Sequence, residues 1–250
     1  MKIKNILISQ PQPSDLEKSP YRDLADKYNI KFEFHKFFKI EGIPGREFRQ
    51  DRINILDHSA IIFTSRHAVD HFFRIAKEMR VEIPENLKYF CISEAIALYL
   101  QKYVQYRKRK IFHGKQNFPQ LMDIILKHKE DKFLLPCSDI HKQDMPDLLD
   151  KHSIKYNKAI IYKTVDDNIT WIDIKKYDML IFFSPSGVKS LFNNFPEFKQ
   201  ENTIIAAFGP TTTQALLDAN LTIEINAPTK AAPSMAMALE QYIIKLIKKK

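Results

Sequence analysis

Residues 178–192, DMLIFFSPSGVKSLF, and 203–217, TIIAAFGPTTTQALL, carry one plan twice. Each opens on an apolar run rich in β-branched and aromatic side chains, which reads as a buried strand. A sharp polar turn follows, and then apolar residues at helical spacing. In the first unit Ser184 is placed to cap a helix and Pro185 suits the first helical position. Val188, Leu191, Phe192 and Phe195 then recur on one face. In the second, Gly209 and Pro210 make the turn, and Thr211, Thr212 and Thr213 offer hydroxyls at the helix start. Both turns are expected at strand carboxyl ends, with helix amides pointing out toward a ligand. Such helix starts favour anions, because their free N–H groups and the helix dipole both attract negative charge.

Outward from this block the alternation continues. A first strand is expected over 4–10, ended by Pro11 and Pro13, with a short helix at Tyr21–Tyr28. Residues 31–40, KFEFHKFFKI, read as one long strand, and Gly42, Pro44 and Gly45 mark a boundary in a chain with only five glycines. A helix is expected over about 47–58, a strand at 60–65, a helix capped by Ser65, a strand at Tyr89–Ser93 and a helix at Glu94–Tyr103. Next come a short basic strand at Val104–Lys110, a helix at Phe118–His128, a strand at Lys132–Cys137, a helix at Met145–His152 and a long strand at Lys158–Val165. Beyond the quoted block lie a strand at 222–227 and a helix from Ser234. An internal repeat emerges: Ser65–Val69 sits over Ser184–Val188, Phe72 and Phe73 over Leu191 and Phe192, Ser93 over Gly209, and Leu100 over Leu216. Two similar α/β modules of about five parallel strands each are the economical reading, with a ligand between them at the carboxyl ends of both sheets.

With 250 residues, 44% of them hydrophobic, the chain can build two cores. Its two cysteines, Cys91 and Cys137, lie in strand-like apolar runs and read as buried hydrophobes in a reducing compartment. No apolar run approaches the ~20 residues needed to span a bilayer, and MKIKNILISQP has too short an apolar core for a signal peptide, so a cytoplasmic protein without membrane contact is expected. The formal charge of +9 is spread along the chain, with clusters only at Arg107–Lys110 and Lys245–Lys250. The terminal cluster reads as a solvated tail, and the positive surplus suits nucleic acid or a small, highly anionic substrate alike, so charge alone does not decide. With no coiled-coil pattern, the expectation is a monomer.

The eight histidines include no HExxH, and no Cys/His cluster has zinc spacing, so no metal site is expected. His67 and His71, four apart on one helix, read as a solvent-facing pair. GxGxxG, GxxxxGK[ST] and GxSxG are all absent, which argues against a dinucleotide fold, a P-loop and a hydrolase elbow. Tyr162 stands out in IIYKTV, on a strand expected to link the modules. Its hydroxyl at a junction suits proton donation to a leaving group, although the pattern alone favours an interfacial aromatic that helps domains meet.

IIFTSRHAV (61–69), IYKTV (161–165), FFSPSGVKSLF (182–192), AAFGPTTTQAL (206–216) and NAPTKAAPSMAMAL (226–239), in this order and spacing, resemble the uroporphyrinogen-III synthase family over essentially the whole chain. The resemblance implies two flavodoxin-like parallel-sheet α/β domains joined by a two-stranded linker. Domain 1 would be discontinuous, 1–36 plus 166–250, with domain 2 inserted at 42–160 and linker strands at 37–41 and 161–165. It implies that hydroxymethylbilane, a linear tetrapyrrole with eight carboxylates, loses water, inverts its last ring and closes to uroporphyrinogen III, with no cofactor and no metal. Carried over by motif, Tyr162 would be the proton donor. Ser65, Arg66, Ser93, Ser184, Pro185, Ser186, Gly187, Gly209, Pro210, Thr211 and Thr212 would bind substrate, largely through the main chain.

This chain departs from the family pattern at Gln10, where an arginine is frequent, at Ser93, where glycine is usual, and near Pro136–Cys137, where another arginine is frequent. Ser93 is therefore expected to force a β-carbon into a tight turn. Two rivals share the sequence: a non-catalytic tetrapyrrole- or anion-binding regulator on the same scaffold, and a nucleic-acid binder resting on the charge surplus and YRKRK at 106–110.

Overall fold

The computed structural model describes residues 3–115, 117–141 and 143–248. The strands are β1 Asn5–Ile8, β2 Lys31–Phe34, β3 Phe38–Gly42, β4 Ala60–Phe63, β5 Lys88–Cys91, β6 Ile111–His113, β7 Phe133–Ser138, β8 Tyr156–Asp166, β9 Met179–Phe182, β10 Ile204–Phe208 and β11 Ile225–Ala227. The α-helices are α1 Pro20–Tyr28, α2 Gly45–Phe48, α3 Arg66–Glu78, α4 Glu94–Tyr99, α5 Phe118–Ile125, α6 Asp144–Lys151, α7 Pro185–Asn194, α8 Pro210–Asp218 and α9 Met235–Lys248. The chain forms two compact units. Unit 1 takes the described residues up to Lys39 together with those from Val165 onward, and unit 2 takes Ile40–Thr164.

Unit 1 carries a five-stranded sheet in the order β11-β10-β9-β1-β2, with its neighbours parallel. Side chains alternate across a parallel strand, so each strand feeds two cores. Ile6, Ile8, Ile181 and Ala206 face Leu24 of α1 and Leu239 and Ile243 of α9. Their neighbours Leu7, Leu180, Phe182, Ile205 and Ala207 face Val188 and Leu191 of α7 and Leu216 of α8. Each fully buried aliphatic or phenyl group stabilises by roughly 1.5–3 kcal/mol, and both faces need helices because neither can meet water.

Unit 2 carries a six-stranded sheet in the order β3-β8-β7-β4-β5-β6. Ile61, Phe63, Tyr89 and Leu134 pack on α3 through Val69, Phe72 and Ile75. Ala60, Ile62, Phe90 and Phe133 pack on the other side against Phe118, Leu121 and Ile125 of α5 and Leu149 of α6. The doubly wound fold and the repeat hold at side-chain level. Ser65 and Ser184 each cap a helix, accepting from Ala68 N at 3.0 Å and from Gly187 N at 3.2 Å. Val69 with Val188, Phe72 with Leu191, and Leu100 with Leu216 are buried pairs.

Four sequence expectations are corrected. Residues 31–40 are two strands, β2 in one sheet and β3 in the other. Between them Phe37 turns inward against Phe182, and its carbonyl accepts from the Asp167 amide and the Ser190 hydroxyl. The helix expected at 47–58 stops at Phe48 and gives way to single 3-10 turns at Arg49–Asp51 and Ile55–Asp57. Arg52 adopts a left-handed φ of 54°, and the Asn54 side chain caps Leu56 instead of continuing a helix. The basic strand lies later, at Ile111–His113, because Tyr106–Arg109 are exposed and Lys110 half-buried, whereas Ile111 is buried. Ser93 has φ −146° and ψ 160°, extended backbone open to any residue, so its β-carbon is not strained. Part of the terminal lysine run, residues 249–250, lies outside the described residues.

Gly209 differs from its repeat partner Ser93. Its φ of 92° with ψ 149° is a region essentially reserved for glycine. A β-carbon there would meet nothing within 4 Å, so the cost of adding one is conformational rather than steric. Gly209→Ala should destabilise by about 1–3 kcal/mol, read as a lower melting temperature, whereas Ser93→Gly should not stabilise by relieving strain.

Glu33 ties the edge of the unit 1 sheet to the chain before β9. Lys31 Nζ lies 2.7 Å from it, and Lys176 Nζ and the Tyr177 hydroxyl donate to it at 3.0 and 2.5 Å. Burial alone would raise its carboxyl, but these donors outweigh burial and hold it at about 2, below the ordinary 4.5. A depressed carboxyl contributes stability above its unfolded value and loses it as pH falls toward the folded one. Glu33→Gln should therefore cost about 1–2 kcal/mol at neutral pH. The gap from wild type should close between pH 4.5 and about 2 in chemical denaturation.

Candidate active site

In a parallel sheet every strand points its carboxyl end to one edge, so the loops after β4, β5 and β7 in unit 2 open on the same side. Ser65 follows β4 and starts α3, with Arg66 beside it; Ser93 follows β5 and starts α4. Arg66 is exposed, its guanidinium 5.3 Å above the Tyr99 ring, and Ser93 makes no side-chain cap bond.

Tyr162 reaches this edge through a bulge. β7 and β8 run in step until Cys137 pairs with Ile160, but Ser138 pairs with Tyr162, so β8 carries one extra residue. Bulges re-aim a side chain. Here Ile161 and Tyr162, consecutive residues that a regular strand would send to opposite faces, join the same core cluster. The Tyr162 hydroxyl lies 3.2 Å from Ser65 Oγ. Either hydroxyl can be the donor in this pair; with Ser65 Oγ, which also accepts from the Ala68 amide, as donor, the phenolic proton is free to point away. The same oxygen stands at the positive end of α3, where developing phenolate charge is favoured.

Tyr162 is 7% exposed. Burial pushes its phenol above the ordinary 10.0; the Ser65 bond acts the other way, and Cys137 and Asp139 add to the rise. The group is thus fully protonated at neutral pH, the form an acid needs. It forms one wall of a cavity of about 260 Å³ whose other walls include Thr64, Ile92, Leu135, Cys137 and Ser138. Burial likewise pushes the Cys137 thiol up to about 11, so it is a neutral wall and not a nucleophile. His71 and His67 are not the solvent-facing pair the spacing predicts. His67 is exposed, but His71 is half-buried and lies flat on the Tyr162 ring, centroids 5.1 Å apart at 21°.

In unit 1 the turns after β9 and β10 also share one edge. Ser184, Pro185 and Ser186 start α7, and Gly209, Pro210 and Thr211 start α8. First-turn amides lack intrahelical acceptors by geometry, so both starts attract anions. Two expected contributors do not present themselves. Gly187 is buried and gives its amide to Ser184, and Thr212 is 1% exposed, so its side chain is packed rather than open. Thr213 spends its hydroxyl on Gly209 O and Asn226. The sequence reading missed Ser9, at the end of β1. Its hydroxyl is buried with no partner among the described residues, 3.4 Å from where a β-carbon on Gly187 would stand. A larger cavity of unit 1, about 660 Å³ beside Ile174, Tyr177, Phe195 and Phe198, also takes in Asp178 and Thr203 at the amino ends of β9 and β10. That is the opposite edge, and none of the expected site residues lines it.

Two units of mostly parallel, doubly wound sheet, each with loops and helix starts gathered at one carboxyl edge, define a two-unit α/β protein. The sequence profile described as uroporphyrinogen-III synthase HemD (HEM4) matches residues 37–236. The chain belongs to the uroporphyrinogen-III synthase family, the cyclising lyases of tetrapyrrole biosynthesis. Its fold is that of solved family structures. Uroporphyrinogen-III synthetase from Helicobacter pylori aligns at TM-score 0.61 and 19% identity over 97% of this chain and 100% of that one. A mutant uroporphyrinogen III synthase from the extremely thermophilic bacterium Thermus thermophilus aligns at TM-score 0.56 and 13% identity over 99% and 100%. No curated protein matches the sequence. Among the described residues no helix is long and apolar enough to cross a membrane, and no group of His, Cys, Asp or Glu could hold a metal ion.

Proposed function

We propose that this chain closes hydroxymethylbilane to uroporphyrinogen III with Tyr162 as the proton donor. The observation that carries this reading is the Tyr162 hydroxyl 3.2 Å from the Ser65 cap of α3, protonated and walling a cavity. The phenol gives its proton to the hydroxymethyl oxygen, the C–O bond breaks and water departs. The electron-poor carbon left behind is captured at the substituted α-carbon of the last ring. The bond from that α-carbon to the ring's own methylene bridge then breaks, and the freed methylene carbon bonds the ring's other α-carbon, so the ring is inverted as the macrocycle closes. Rearomatisation of that ring releases one proton, which restores the phenol, so acid is not consumed over a turnover. These steps move protons and form carbon–carbon bonds, and the reading assigns them no cofactor or metal.

The helix starts of α7 and α8 take substrate carboxylates through main-chain amides, with Ser184, Ser186 and Thr211 at hand. Ser65, Arg66 and Ser93 serve the unit 2 edge. The spread of the positive charge supports a small polyanion over nucleic acid, and the protein is read as a cytoplasmic monomer. The test supplies purified protein with hydroxymethylbilane generated in situ and resolves the oxidised products by isomer. Predominant type III porphyrin supports the reading; only the type I isomer, which forms without an enzyme, overturns it.

A further inference from the structure

We infer that His71 is a positioning residue that, with Arg74, fixes the direction of the Tyr162 hydroxyl. This rests on Tyr162 being the proton donor. The contacts form a closed circuit. The His71 ring covers one face of Tyr162 at 5.1 Å. Arg74 Nε donates to His71 Nδ1 at 3.1 Å, which places the ring proton on Nε2 and holds the imidazole in one orientation. Arg74 Nη2 donates to Ile161 O at 3.0 Å and to Ile43 O at 2.9 Å. Nη1 is held by Glu78 Oε1 at 2.6 Å. One guanidinium therefore grips the peptide immediately before Tyr162 and the ring that lies on its side chain.

This grip falls one residue short of Tyr162, at the bulge, where the β7 register shifts. A bulged residue is held less firmly by its neighbours in the ladder, and a proton donor displaced by about 1 Å loses rate steeply. The Ile43 amide holds Ile161 O and the Asp139 amide holds Tyr162 O, which fixes the backbone there, and the His71–Arg74 pair adds a constraint on the Tyr162 side chain itself. Neither residue needs to touch substrate. Asp70, the adjacent acid on α3, is engaged elsewhere: the Tyr99 and Tyr103 hydroxyls donate to it and Lys102 lies 3.5 Å away.

The test is a double-mutant cycle on type III isomer formation with His71→Ala, His71→Phe and Tyr162→Phe. His71→Ala should lower kcat about tenfold with KM within about twofold. His71→Phe, which keeps a flat ring against Tyr162, should recover kcat to within about threefold. In the Tyr162→Phe background His71→Ala should have almost no further effect, because there is no donor left to aim. A His71→Ala loss of equal size in both backgrounds, or none in the wild type, overturns the inference while leaving Tyr162 as donor. An unchanged kcat in Tyr162→Phe overturns the donor assignment, and the inference with it. Thermal melting of each variant is run alongside. A His71→Ala loss that His71→Phe does not restore, in proteins of equal melting temperature, also overturns the inference.

Discussion

Tyr162→Phe should lower the rate of type III formation about 10–100-fold, with KM within about twofold. The phenyl ring keeps the packing against His71 and the core, so substrate binding and the fold should persist, and only the donated proton is lost. General acids contribute about 10²–10⁴-fold in rate. The expected loss falls at or below the bottom of that range because water entering the emptied position can protonate a leaving hydroxyl, and the chain still holds the reactive ends in place. Steady-state kinetics with isomer analysis reads the outcome directly. A drop in kcat with the isomer ratio unchanged marks loss of the departure step; a shift toward type I marks loss of control over closure. A rise in KM with kcat unchanged would show that the hydroxyl binds and does not donate. Because burial raises the phenol above its ordinary value, the wild-type rate should lose its acid form on the alkaline side at higher pH than an ordinary phenol would.

Phe63→Ala should destabilise the protein by about 3–5 kcal/mol. Phe63 is fully buried at the end of β4, with Phe72 edge-on at 5.5 Å, Phe73 at 6.5 Å and Tyr89 stacked at 6.1 Å. Removing it empties the place where β4, β5 and α3 meet, and three aromatic neighbours on rigid elements cannot collapse into the space. At about 2–4 °C per kcal/mol for a chain of this size, melting should fall by roughly 6–20 °C. Phe63 also precedes Thr64 and Ser65, so the cap that faces Tyr162 should loosen before global unfolding. Calorimetry checks the first effect, and hydrogen exchange at the Ala68 amide checks the second.

The fold was legible because its signals are local. Val188 and Leu191, or Val69 and Phe72, announce a helix face by spacing alone, and Ser65, Ser184 and Gly209 announce turns by what they can do to a backbone. The repeat then supplied the architecture, since two copies of one pattern imply two sheets. The errors fall where distant residues decide. Residues 31–40 break because Phe37 finds Phe182 and gives its carbonyl to Asp167 and Ser190, none of them near in sequence. Arg52 ends a plausible helix by adopting a left-handed φ that its side chain does not advertise.

Of the candidate site, the strand ends and helix caps could be read, and Tyr162 could be singled out. Its aim could not, because the bulge exists only in the pairing of β8 with β7. His71 looked solvent-facing because helical spacing does not say what stands opposite. Ser9 lay in plain view in NILISQ, one position before Gln10, yet nothing in a strand's pattern shows that its last hydroxyl will be left unpartnered.

The bulge in β8 makes chain length, rather than residue identity, the quantity most tightly held in this segment. Side-chain direction alternates with every residue, so deleting one position between Tyr156 and Ile161 would not shorten the strand harmlessly. It would rotate Tyr162 away from Ser65 or drag the paired register of β7 out of step. Volume-conserving substitutions at half-buried Ile160 should cost less than an insertion or deletion there. Among relatives as divergent as 13–19% identity, this short stretch should drift in composition but keep its residue count.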